Sequence, residues 1–494
     1  MQNLLTALQM RDADLYTIEC LPISSLNLME RAAQEFVKII NLPNKVAIIS
    51  IFCGTGNNGG DGLAIARLMK KAGFKYVSVY LINFKSKQSD NYQTNLKKLT
   101  NVVKVIEITE PQQLKGLKTD VIVDAILGSG LNKPLEDKYV ELTSIINGLN
   151  KQIIAFDVPT GFITEGQIPE NYNGIKADLV ISFQRPKINF FFPESYWALK
   201  SFKVADVGLD ENFIESQKSD WKLTTGDGIE KLLRARTKFT HKGTYGHALL
   251  IAGNNTTMGA ALLSASACLH TGAGLTTVCL PQSGLIALNT ALPEVMALPR
   301  NEHLMIEAFE KFTTIAIGPG LGLEEENEQL LEKIINLKKP LIIDADALTI
   351  LNKRKDLLDK LPSQSILTPH MKEFDRLFGE HKNWWDRLEI AKRQAQERDL
   401  IIVLKNQYTF VCLPSGEVHI NPTGNPAMAS GGMGDVLTGI ITALVAQSYS
   451  PAQASVLGVY LHGKAGDDLA QSRFAISASQ LALQIPITIK GLLK

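Results

Sequence analysis

Val46-Ala47-Ile48-Ile49-Ser50-Ile51, then Gly54-Thr55-Gly56-Asn57-Asn58-Gly59-Gly60-Asp61-Gly62, then Leu63-Ala64-Ile65-Ala66-Arg67-Leu68-Met69 form a continuous apolar strand, a glycine-rich loop and a helical run. A strand without polar alternation is what a parallel sheet covered on both faces requires. The loop contains a literal G-x-G-x-x-G in the strand-to-helix context of a dinucleotide fold. The next strand, however, ends Leu81-Ile82-Asn83-Phe84-Lys85, with no Asp or Glu to hold a ribose, which argues against an ordinary dehydrogenase. Asn57, Asn58 and Asp61 suggest instead a loop that takes an ion or polar ligand directly.

Working outward, Val77-Ser78-Val79-Tyr80-Leu81-Ile82, Val121-Ile122-Val123, Ile153-Ile154-Ala155-Phe156 and Leu179-Val180-Ile181-Ser182-Phe183 continue the strand–helix alternation. The first half therefore reads as a doubly wound α/β domain. Two of its strands run into Asp124-Ala125-Ile126-Leu127-Gly128-Ser129-Gly130 and Asp157-Val158-Pro159-Thr160-Gly161. Ligands of open α/β sheets bind outside the carboxyl ends of strands, so three such ends should share one crevice. Each aspartate taken alone could equally cap a helix or form a turn.

Residues 210–227 lapse into polar sequence and read as a linker, with domains expected over residues 1–215 and 225–494. A second alternating series follows, beginning with His247-Ala248-Leu249-Leu250-Ile251 and a helical stretch over residues 259–271. Its later strands are Thr314-Ile315-Ala316-Ile317, Leu341-Ile342-Ile343-Asp344 and Leu400-Ile401-Ile402-Val403-Leu404, with a hairpin turning near Pro414-Ser415-Gly416. Near its end stands Asn425-Pro426-Ala427-Met428-Ala429-Ser430-Gly431-Gly432-Met433-Gly434-Asp435, leading into the apolar Val436-Leu437-Thr438-Gly439-Ile440-Ile441. Backbone N–H groups at such a helix start favour a phosphate. Asp435 would then stand where a substrate hydroxyl must lose its proton, which points to phosphoryl transfer. The plain alternative is a tight turn with Asp435 as a helix cap.

Composition narrows the partners. Lys plus Arg (51) nearly balance Asp plus Glu (50), hydrophobic residues make up 45% and charged residues 20%, so nothing in the charge favours nucleic acid or an anionic membrane. The five cysteines lack a Cys-x-x-Cys pair, and the N-terminus lacks a basic region followed by a sustained apolar stretch. A cytoplasmic protein acting on small molecules is expected.

Residues 54–67, 124–130 and 157–161, with Leu28-Met29-Glu30-Arg31-Ala32-Ala33, resemble the NAD(P)H-hydrate epimerase family. The resemblance implies a Rossmann-like three-layer α/β/α fold that interconverts the R and S epimers of hydrated NADH and NADPH (NADHX and NADPHX). It implies a potassium ion (K+) on Asn58, Asp124 and Thr160. It implies a nucleotide surrounded by Asn57, Asn58, Gly59, Gly60, Asp61, Gly128, Ser129, Gly130, Leu131, Asn132, Lys133, Pro134 and Asp157, with Asp157 as the acid–base group. Thr160 stands where that family more often has Ser, keeping the hydroxyl and carbonyl.

The second half carries Lys242-Gly243-Thr244-Tyr245-Gly246, Gly318-Pro319-Gly320-Leu321-Gly322, Asp344-Ala345-Asp346, Thr368-Pro369-His370 and Lys405-Asn406-Gln407-Tyr408-Thr409 in addition to the Asp435 stretch. In that order they resemble the ADP-dependent NAD(P)H-hydrate dehydratase family, a branch of the ribokinase-like α/β fold. Singly they are modest signals, Gly-Pro-Gly being often only a turn and His370 a loop histidine. The resemblance implies contacts from Ala260, Gly322 and His370 to the hydrated dinucleotide. Lys405, Asn406, Gln407, Tyr408, Thr409 and Gly434 would hold ADP with its magnesium ion (Mg2+), Asp435 would be the base, and the assembly a homo-oligomer. Asn406 and Ala427 replace glycines common in that family, and Asn tolerates positive φ. Two competing readings share these loops: a small-molecule kinase for a vitamin precursor or sugar with a ligand-binding first half, and a non-catalytic nucleotide sensor. The epimerase-like half discriminates against the kinase, because it supplies a matching substrate; retention of both Asp157 and Asp435 discriminates against the sensor.

Overall fold

The computed structural model describes residues 1–40, 42–84, 87–99, 101–131, 133–300 and 304–493. It divides into two compact units, one of Asn3–Ser219 with Asn383–Trp385, the other of Met1–Gln2, Asp220–Lys382 and Asp386–Lys494.

The first unit is built on a seven-stranded parallel sheet. Across it lie Lys104–Ile108, Tyr76–Ile82, Ile48–Cys53, Val121–Ala125, Gln152–Phe156, Leu179–Phe183 and Phe202–Ala205. Numbered by chain position the order is 3-2-1-4-5-6-7, which reverses between Ile48–Cys53 and Val121–Ala125. That reversal opens a crevice at the carboxyl edge, where a doubly wound sheet takes its ligand. The central strands are apolar because both faces are covered: all five residues of Val121–Ala125 are buried. One cover is the helix Ser25–Ile40, which buries Leu28, Met29, Ala32, Ala33, Phe36 and Ile40, a stripe at helical spacing. Phe36 is fully buried against the Phe156 ring, so Phe36→Ala should cost about 3–5 kcal/mol.

Two sequence expectations need correction here. The glycine-rich segment is a loop only as far as Gly56, since the helix starts at Asn57 and runs to Lys71. Its first turns are poor helix-forming sequence, and close packing overrides the propensity: a Cβ on Gly59 would lie 1.8 Å from the Gly54 carbonyl oxygen. The polar stretch expected to be a linker is ordered structure. Asp210 caps a helix over Glu211–Ser216 through the Phe213 N–H, and Trp221–Leu223 is a strand of the second sheet. The polar residues are there to hold Arg185, whose buried guanidinium pairs with Glu211 and Glu215.

The second unit has an eleven-stranded sheet whose parallel body is Met296–Pro299, Leu275–Leu280, His247–Ile251, Thr314–Ile317, Leu341–Ile343, Ile366–Leu367 and Ile401–Leu404. By chain position this is again 3-2-1-4-5-6-7, reversing between His247–Ile251 and Thr314–Ile317. An antiparallel pair, Thr409–Cys412 with Val418–Asn421, extends one edge around the expected turn, where Gly416 has φ +89°. The helix Met433–Ala446 is buried from Val436 to Leu444 and packs against Met258–Thr271, which begins one residue before the expected stretch.

Candidate active sites

In the first unit the three strand ends meet. A Cβ on Gly54 would lie 2.1 Å from the Ile126 carbonyl oxygen, and one on Gly128 would lie 3.0 Å from Asn58 Oδ1, so the loops after the first and fourth strands touch at the reversal. Asp124 Oδ2 accepts the Thr160 N–H at 2.7 Å, and its Oδ1 accepts the Thr160 hydroxyl at 2.7 Å and the Ile126 N–H at 3.2 Å. Asp124 is thus fully paired yet buried without a cationic partner among the described residues, and burial pushes its carboxyl up to about 6. Asn58 Nδ2 is buried with no hydrogen-bond partner among the described residues.

A cavity of about 830 Å³ opens beside this junction, lined by Asn57, Asn58, Asp61, Gly128, Ser129, Gly130, Leu131 and Asp157 of the expected residues. Gly59 and Gly60 sit inward on the helix, and Asp124, Lys133, Pro134 and Thr160 are also off its lining. Asn132 lies outside the described residues. Asp157 follows the fifth strand at φ +63°, a conformation that costs a non-glycine residue about 1 kcal/mol or more and recurs at functional sites. Its Oδ1 meets Lys187 Nζ at 2.8 Å and the Ser182 hydroxyl at 3.2 Å. Asp61 is buried, and desolvation with the nearby charges of Asp157 and Asp14 raises its carboxyl well above the usual range.

Sequence reasoning misses Lys187 and Asp14. Lys187 follows the sixth strand in a stretch without a motif. The helix Ala7–Cys20 offers a signal in retrospect, because Ala7, Met10, Arg11, Asp14 and Ile18 all line the cavity at helical spacing.

In the second unit the glycine stretch forms a helix start. Gly432, at φ +88°, occupies the N-cap position, and Met433, Gly434 and Asp435 make the first turn. No side chain caps that end, and Asp435 lies within the helix, so the simple-cap reading fails. Beneath it Asp344 acts as a hub, its Oδ1 accepting Lys405 Nζ at 2.8 Å and its Oδ2 the Thr438 hydroxyl at 2.7 Å. The sequence singles out Asp344-Ala345-Asp346 at a strand end, and packing adds Lys405 and Thr438 as the partners of Asp344. Burial, then the charges of Asp344 and Asp346, push the half-buried Asp435 carboxyl up to about 6, against the lowering effect of Lys405. His462 reaches the Met433 carbonyl at 3.0 Å, and burial lowers its imidazole to about 4, so it is neutral there.

The remaining expected residues arrive from neighbouring strand ends. Gly318, Gly320 and Gly322 all have positive φ, and a Cβ on Gly320 would lie 2.9 Å from that of Ala260. The Gly322 N–H donates to Asp346 at 2.9 Å. His370 bridges to Lys405 through the backbone while its Nδ1 accepts the Lys372 and Glu373 N–H groups. Asn406 and Ala427 both avoid positive φ, so neither departure strains the backbone. Thr409 Oγ1 donates to the Asn406 carbonyl at 3.3 Å, and Tyr408 is partly buried in the same turn with Gln407.

Fold and sites together define a two-domain α/β enzyme in which a ribokinase-like domain follows a Rossmann-like one. A ribokinase-like superfamily protein of Enterococcus faecalis V583 is 31% identical and covers 56% of this chain and 98% of its own, with a TM-score of 0.51. Residues 248–487 match the family described as NAD(P)H-hydrate dehydratase, and residues 25–189 that described as YjeF-related protein N-terminus. The bifunctional NAD(P)H-hydrate repair enzyme of Moorella thermoacetica is 33% identical over 99% of this chain and 97% of its own length; that of Coxiella burnetii is 34% identical over 94% of each. The chain belongs to the bifunctional NAD(P)H-hydrate repair enzyme family.

Proposed function

We propose that this chain repairs hydrated NADH and NADPH in two reactions, R/S interconversion in the first unit and ADP-dependent dehydration of the S form in the second. The observation that carries the reading is the presence, on one chain, of the Asp157–Lys187 pair in a cavity and of Asp435 in a glycine-capped first turn.

In the dehydratase half, Asp435 takes the proton from the hydroxyl that hydration placed on the ring. The resulting oxygen attacks the terminal phosphorus of ADP, and AMP leaves. Phosphate is a far better leaving group than hydroxide, so its loss, with a proton from the adjacent carbon, restores the dihydropyridine. The first-turn N–H groups stabilise charge on the transferring group, as does the Mg2+ that enters with the nucleotide. Lys405, Asn406, Gln407, Tyr408, Thr409 and Gly434 hold ADP in this reading; Ala260, Gly322 and His370 hold the substrate.

In the epimerase half, K+ held by Asn58, Asp124 and Thr160 would supply the positive charge that the buried Asp124 lacks, and the oxygen donors offered there suit a hard cation. Asp157 moves the proton. A homo-oligomer in the cytoplasm completes the reading; among the described residues, no helix is long and apolar enough to cross a membrane.

The test supplies protein, ADP and Mg2+ to S-hydrated NADH and follows NADH absorbance. Recovery matched by AMP and phosphate is expected. Folded protein that recovers nothing but phosphorylates a sugar or vitamin precursor would favour the kinase.

A further inference from the structure

The cavity of the first unit holds more proton-carrying groups than Asp157. The helix Ala7–Cys20 turns Asp14 into it, and among the described residues no hydrogen bond engages the Asp14 carboxyl. That contrasts with Asp157, held by Lys187 and Ser182, and with Asp124, held by Thr160 and Ile126. A half-buried carboxyl with no protein partner, facing a cavity, is free to meet a ligand.

The chemistry asks for a second such group. Hydration of an enamine double bond places the hydroxyl on the carbon next to the ring nitrogen. That carbon can invert by breaking the C–O bond: the electron pair leaves with the oxygen as a donated proton turns it into water, while the nitrogen lone pair forms the C=N bond of a planar iminium. Water then adds to the opposite face and gives a proton to a base, so bonds and charges return to their starting balance. Departure and entry lie on opposite faces, which one carboxylate cannot serve.

We propose, resting on the epimerase reading, that Asp14 is a second catalytic residue of R/S interconversion, facing Asp157 across the substrate ring. In one direction Asp14 protonates the leaving hydroxyl and Asp157 takes the proton of the entering water; in the other the roles exchange. Asp157 is paired with Lys187 at 2.8 Å, and Asp14, without such a pair among the described residues, carries the shared proton. Burial supports that division, raising the Asp14 carboxyl to about 6, with Lys187 opposing and Asp157 adding to the shift. The charged groups facing the same cavity are Arg11, Asp61, Lys87, Asp157 and Lys187.

The experiment uses the full chain, an R/S mixture of hydrated NADH, ADP and Mg2+. Wild-type protein should recover all of the NADH. Asp14→Asn, nearly isosteric, should recover the S share at the wild-type rate and then stall, the R share following about 10²–10⁴-fold more slowly. Asp14→Glu, which keeps the acid, should regain part of that rate. Because the pair must carry one proton, wild-type interconversion should fall as pH rises beyond about 6, and Asp14→Asn should lose that alkaline limb. A merely structural role would lower the rate and leave the limb in place. If Asp14→Asn consumes the R share at the wild-type rate, or slows it with an unchanged pH profile, the proposal is overturned while the epimerase reading stands. If wild-type protein itself leaves the R share untouched, both fall.

Discussion

The two units set the same local motif to different work. The first sheet and the parallel body of the second both run 3-2-1-4-5-6-7, and each unit places glycines and an aspartate at a helix start. In the first, Gly59 and Gly60 are consumed by packing, and Asp61 is buried at the cavity wall among other carboxylates. In the second, a Cβ on Gly431 would meet nothing within 4 Å, and Asp435 lies half-buried in the first turn. One end is packed beside a cavity whose lining includes Asp14, Asp61 and Asp157, and the other leaves Gly431 without close neighbours. Shared topology fixes where a ligand sits; the side chains around the glycines decide what is done to it.

The largest effects should separate the two sites. Asp435→Asn should lower dehydration by about 10²–10⁴-fold and leave R/S interconversion intact, and Asp157→Asn should do the reverse. Loss of both activities from either substitution in well-folded protein would erase the distinction. The glycines should differ next. Gly59→Ala forces a Cβ against the Gly54 backbone and should cost about 3 kcal/mol in chemical denaturation of the first unit. Gly431→Ala should change stability by only about 0.5 kcal/mol or less while raising the KM for ADP. Equal stability losses at the two positions would mean that both glycines serve packing.

A smaller effect is pH. As the proposed base, Asp435 must be ionised to accept a proton, and burial pushes its carboxyl up to about 6. Dehydration should therefore be level above that pH and fall roughly tenfold per unit below it. Interconversion, needing the proton that Asp14 carries, should fall on the alkaline side instead. Profiles of the same sense for both activities would contradict the contrast.

Much of the fold and of both sites is legible in the sequence, and the misses share a cause. The aspartates at strand ends and the order of the glycine motifs are local features, so Asp124, Asp157, Gly322, Lys405 and Asp435 stand out from the chain itself. The start of the helix at Asn57 does not, because Asn and Gly are poor helix formers and the deciding contact, Gly59 on Gly54, is tertiary. Residues 211–216 look like a linker until Arg185 supplies the partner for their charges. Lys187 and Asp14 carry no motif of their own, and the fold alone brings each to a site.

If two independent sites act in series, variants that each lack one of them should complement each other when mixed. Asp157→Asn and Asp435→Asn chains, each unable to convert R-hydrated NADH rapidly, are combined at equal concentration with ADP and Mg2+, and NADH absorbance is followed. Recovery should return to near the wild-type extent, because the S epimer made by one chain diffuses to the other. A mixture no better than either variant alone, with each retaining its own remaining activity, would contradict it.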